Sequence, residues 1–175
     1  MGLLYESLNA ETRALMLKEF NSDISNGNIY LSKRFNENGA KYFIELMTKH
    51  IEDGHDESLA QDLKSKDCFK THEERNSKKG VISVKVPENA HQTFSEGEFN
   101  RFYIRALCLR SIEEKKQLQV YRGRHSENPR PESEVLIGTM IDPGPLLDDL
   151  RLNRGVDTAL GLPNGPNSGL TIRLI

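Results

Sequence analysis

Between Gln119 and Gly138 the chain reads QVYRGRHSENPRPESEVLIG, gathering Arg122, Arg124, Arg130, His125, Glu132 and Glu134 into twenty residues. These residue types can do chemistry together. An arginine fork grips phosphate or carboxylate, a histidine moves a proton near neutral pH, and paired carboxylates stabilise developing positive charge. If the segment is catalytic, His125, Glu132 and Glu134 are the candidate residues. Arg101 and Arg105 lie one turn apart just upstream. With Arg122, Arg124 and Arg130, and with Tyr103 and Tyr121 beside them, they could form a stripe that holds a nucleotide or nucleic acid.

Each chemical reading meets an obstacle in the spacing. The order VYRG then ESE is that of the ADP-ribosyltransferases, which place an arginine on a strand ahead of a Glu-x-Glu pair. Only about ten residues separate Arg122 from Glu132, too few for the strand that family sets between them. A metal-dependent nuclease would want an acid paired with a lysine across a strand; VISVKV offers Lys85 but has Ser83 where the acid belongs. KHIEDGH contains His50, Glu52, Asp53 and His55, yet the group straddles a helix end and reads as solvated charge. Ser126 and Ser133 lack a nucleophile elbow, and GLPNGPNSG lacks the lysine and the strand–helix context of a phosphate loop. No metal and no cofactor is expected. Acids match the arginines in number, so a buried ion-pair network with Glu96, Glu98, Glu132 and Glu134 is favoured over a phosphate stripe.

The elements that must position these residues can be read from periodicity and caps. Asn9 caps a helix over Ala10 to Ile24, and a second runs from Glu37 or Gly39 to Asp53, with Gly54 as a left-handed stop. A short helix covers 57–64 and an exposed loop 64–80, with strands at 29–32 and 81–86. FSEGEFNRFYIRALCLRSIEEKK is the strongest signal: Ser95 and Glu98 spell a capping box, and Phe94 and Phe99 a hydrophobic staple. The helix that follows, from Glu96 to about Lys115, is apolar almost all round and is expected to be buried. Strands are expected at 118–123 and 134–141, with a short helix at 145–153. After a Gly/Pro/Asn-rich stretch, LTIRLI sets Leu170, Ile172 and Leu174 on one side, a pattern that suits docking as an added strand on a partner.

Composition narrows the class. The 175 residues are 36% hydrophobic and 29% charged, with net charge −2, a balance that disfavours general nucleic-acid affinity. MGLLYESLNAETR has no basic n-region and no long apolar stretch, so neither a secretory leader nor a membrane span is expected. A soluble protein of a reducing compartment, cytoplasmic or virion-associated, fits these features. All twelve lysines lie at or before Lys116, whereas nine of twelve arginines follow residue 100. Arginine's rigid fork suits fixed ion pairs, so the C-terminal half reads as a surface for fixed contacts.

The segments EFNRFYIRALCLR (Glu98 to Arg110) and VYR (Val120 to Arg122) resemble small uncharacterised proteins of phages and prophages, some encoded among virion genes. The resemblance spans about twenty-five residues, carries no catalytic motif, and implies an assembly or interaction role.

The expected molecule is thus a single α+β domain over 1–159, with N-terminal helices, a central buried helix and a small, mostly antiparallel sheet. Residues 160–175 are expected to form an extended arm. A non-enzymatic assembly or interaction protein, binding protein partners or itself, leads. A small enzyme or effector acting on nucleotide or nucleic acid through 122–134 is the alternative, and an immunity- or antitoxin-type binder the third.

Overall fold

The computed structural model describes residues 2–78, 80–155 and 169–175. Asn9 and Asn36 accept the third amide of their helices, from Thr12 at 3.0 Å and Gly39 at 3.1 Å. They start α1 (Ala10–Ser25) and α2 (Glu37–Asp53). α3 (Asp56–Ser65) follows after Gly54 and is capped by His55. β1 (His72–Ser77) and β2 (Gly80–Lys85) form an antiparallel hairpin. α4 (Ala90–Glu114) is the longest element, and its Phe99, Phe102, Tyr103, Ile104, Ala106, Leu107 and Cys108 are all buried. β3 (Leu118–Arg122), α5 (Pro131–Leu136), β4 (Met140–Ile141), α6 (Pro143–Leu152) and β5 (Leu170–Leu174) complete the described chain.

Helices α1, α3 and α6 pack on α4, and a three-stranded antiparallel sheet in the order β4–β3–β5 lies against the same helix. This is an α+β fold. One apolar core runs through it, with Phe20 meeting Phe43 and Phe102 edge-on and Phe94 set among Phe35, Phe43 and Phe69. Among the described residues, no helix is long and apolar enough to cross a membrane.

Several expectations are corrected. α4 begins at Ala90, where the Ala90 amide already donates to Pro87 O at 3.0 Å. Ser95 is therefore inside the helix, where its neighbours' amides are already bonded, and the expected capping box does not form. The exposed loop expected over 64–80 contains β1, because the apolar β2 folds back at Gly80 (φ +114°) and recruits HEERNS as its partner. Residues 29–32 form no strand. The first three residues of the strand expected over 134–141 belong to α5: Pro131 at the first helical turn, with Glu132 and Glu134 beside it, favours helix initiation. Met140 and Ile141 pair with β3, and Gly138 and Thr139 bond Val120 just ahead of them. Gly54 is extended (φ −174°) rather than left-handed. Glycine is needed there for space, since a Cβ would lie 2.4 Å from His50 Nδ1.

The arm expected over 160–175 lies outside the described residues as far as 168. From Leu170 onward it is corrected: β5 pairs along the whole of β3, from Leu118↔Leu174 to Arg122↔Leu170, within its own chain. Leu170 and Ile172 are 1% and 0% exposed. Alternation sets apolar residues on one side, and α4 of the same chain supplies the apolar surface that side needs.

Candidate functional site

The arginines singled out from sequence divide between two places. Arg101 and Arg105 project from α4 into the helical core, at 5% and 1% exposure, so no phosphate stripe joins them to Arg122, Arg124 and Arg130. Arg105 is gripped on both edges: Nε and Nη2 reach Glu19 Oε2 at 2.8 and 2.6 Å, and Nη1 reaches Asp23 Oδ2 at 2.6 Å. Arg151 from α6 adds bonds of 2.6 and 3.0 Å to Glu19. Burial pushes the Glu19 carboxyl upward, but Arg151 and Arg105 more than offset it and hold it below its usual range. Arg101 Nη2 binds Glu98 Oε2 at 2.6 Å, and burial raises the Glu98 carboxyl. Buried charge of this kind is tolerated only when it is paired.

On the surface, Arg122 pairs with Glu134, and Arg124 reaches Glu96 at 3.1 Å. In place of one buried network, Glu98 pairs with Arg101 in the core while Glu134 and Glu96 pair separately with Arg122 and Arg124 nearer the surface. Glu132 and His125 are exposed, and neither shares a side-chain hydrogen bond with the described residues. Arg130 stands at the N-cap of α5, its carbonyl accepting from Ser133 and Glu134. The segment from 122 to 134 ties β3 to α5 and α4. Glu19 and Asp23 were missed as partners of Arg105, although two acids four residues apart beside Met16 and Phe20 are a readable sign of a buried cation.

A second constellation was also missed. Ser58 Oγ lies 2.9 Å from His50 Nδ1, and His50 Nε2 lies 2.9 Å from Asp62 Oδ2, which also accepts from Lys49 Nζ at 2.7 Å. These are the residue types of a hydrolytic relay. Their surroundings speak for a tie between α2 and α3. The Ser58 hydroxyl also contacts the His55 carbonyl at 2.9 Å and accepts from the His55 amide at 3.0 Å, closing the cap of α3. Burial lowers the His50 pKa despite the Asp62 carboxylate, which favours the neutral ring. Then Nε2–H donates to Asp62 and Nδ1 accepts from Ser58. Among the described residues, no group of His, Cys, Asp and Glu is arranged to hold a metal ion.

The third feature is the β1–β2 hairpin. It is a separate two-stranded sheet, exposed at most of its positions, with Val81 63% and Ile82 45% accessible. Glu73 is the exception: buried, it accepts from Arg34 at 2.8 and 3.0 Å and from Arg75 at 2.9 and 2.5 Å. Arg34, ahead of any burial effect, and then Arg75 hold the Glu73 carboxyl down at about 2. Along β1 runs an open groove of about 590 Å³ lined by Lys33, Arg34, Glu73, Glu74, Arg75, Asn76 and Val81.

Comparison with family models, curated proteins and solved structures found no match.

Proposed function

We propose that this is an interaction protein, of the assembly kind implied by its resemblance to phage and prophage proteins, and that it docks through the β1–β2 hairpin. The observation that carries this reading is the hairpin's exposure. An isolated strand pair is marginal in water, and an exposed edge with valine and isoleucine beside it is normally covered or blunted. Here the pair is anchored at its base by the Arg34–Glu73–Arg75 clamp, which leaves its outer length accessible. The ion pairs made by 122–134 fit a connector better than a catalytic loop, because Arg122 is engaged by Glu134 within the segment and Arg124 by Glu96 of α4. The docking role first expected of Leu170, Ile172 and Leu174 passes to this surface, since those residues are used in the chain's own sheet.

The test is a variant in which residues 73–84 are replaced by a short Gly/Ser linker, isolated beside the full chain from the cells that produce it. The variant is expected to unfold cooperatively and to lose a partner recovered in fixed ratio with the full chain. Equal recovery with both, or none with the full chain, overturns the reading.

A further inference from the structure

The hairpin edge has a chemistry that selects its occupant, and this deepens the docking reading on which it rests. The Val86 amide donates to Thr71 O at 2.9 Å, which makes Thr71 and Val86 a hydrogen-bonded pair. Antiparallel ladders alternate, so Glu73, Arg75 and Ser77 also bond toward β2, opposite Val84, Ile82 and Gly80. The N–H and C=O groups of His72, Glu74 and Asn76 then face away from β2. Among the described residues, no third strand takes them up. Lys70 donates to Arg34 O at 2.9 Å and Phe35 bridges Phe69, so the segment before α2 follows the chain just ahead of β1. That pairing ends before His72, where the groove begins.

A second copy of this chain is a poor occupant. Antiparallel self-pairing centred on Glu74 sets that carboxylate against its own copy, and centring it on either neighbour sets Glu73 or Arg75 against itself. Like charges directly opposite are destabilising. Charge complementarity favours a different partner. The groove carries three cations, Lys33, Arg34 and Arg75, against two carboxylates, of which Glu73 is already held by both arginines. Lys33 is exposed and the Arg75 side chain is 51% accessible, so both can reach an incoming group.

We propose that an extended acidic segment of another protein adds to the outer edge of β1 as a third strand. Its backbone bonds His72, Glu74 and Asn76, and its acidic side chains, at every second position, lie along Lys33 and Arg75. Main-chain bonds supply affinity in this mode, and alternate side chains supply selectivity.

The experiment is selection of displayed random eight-residue peptides on the full chain, followed by titration of the enriched peptides in solution. Enrichment of peptides with Asp or Glu at alternate positions is expected. Methylating the backbone nitrogens on one edge of an enriched peptide is expected to weaken it at least tenfold, and this leaves the protein untouched. Lys33→Glu with Arg75→Glu is expected to lose at least tenfold as well, and Glu74→Pro, which removes an outward amide along with a carboxylate that would repel an acidic strand, to do the same. No enrichment, enrichment without alternating acids, or indifference to backbone methylation overturns the proposal. So does equal binding of a single-stranded oligonucleotide, which would make the site one for polyanions. If a hairpin-dependent partner is recovered while these peptide results fail, the acidic-strand inference falls and the docking reading stands.

Discussion

With its guanidinium between Glu19 and Asp23, Arg105 joins α4 to α1 through charges withdrawn from water. Removing the cation alone strands two carboxylates. Arg105→Met is therefore expected to cost about 3–5 kcal/mol in urea unfolding, as breaking a buried pair from one side does. His50 gives a pH-dependent counterpart. Its folded pKa lies below the ordinary 6.5 because burial disfavours the charged ring, outweighing Asp62, while Lys49 and His55 push the same way as burial. The unfolded chain thus binds a proton first as pH falls. Stability from this group is complete above about pH 6.5 and declines below it, until the folded pKa is reached. Unfolding free energy measured from pH 7.5 to 5.5 should fall less steeply in His50→Asn than in the parent. His91, also lowered chiefly by burial, supplies a slope common to both proteins. Gly54→Ala should destabilise, since its new methyl would meet His50 Nδ1 at 2.4 Å. A thermal melt unchanged from the parent would contradict that.

At the scale of elements, legibility followed the range of the information. α1, α2 and α3 were readable because their periodicity is local; Asn9 caps α1, and α2 runs from Glu37 to Asp53, within the expected bounds. β1 was not readable, for HEERNS has no β-branched or aromatic residue and becomes a strand only because β2 lies beside it. The VLIG segment misled in the opposite direction, since its apolar run looks like a strand while Pro131 and two glutamates start a helix. In the candidate site, arginine–glutamate pairing was legible as a type of contact. The partners of Arg105 were not, since Glu19 and Asp23 lie over eighty residues away in sequence. The hairpin and the core should also separate in energy. Val81→Lys, at a site 63% exposed, is expected to leave stability nearly unchanged, while Ile172→Ala, fully buried, should cost about 2–5 kcal/mol in the same urea titration.

Across the whole molecule, β5 converts the expected arm into part of the body. Removing residues 170–175 should abolish cooperative unfolding, because it uncovers β3 and empties the positions of Leu170 and Ile172 against α4. A truncated chain that still melts sharply, by circular dichroism, would refute this placement. The same strand lies beside the opening residues. Arg173 reaches Glu6 at 2.9 Å, the Leu174 amide reaches Ser7 Oγ at 3.5 Å, and Leu4 donates to Gly123 O at 2.9 Å. Segments more than 160 residues apart along the backbone are thus spatial neighbours. A few-residue bridge could weld them into a ring, and severing that ring at the hairpin tip would yield a rearranged gene product whose body keeps its shape while the β1–β2 ribbon is cut open.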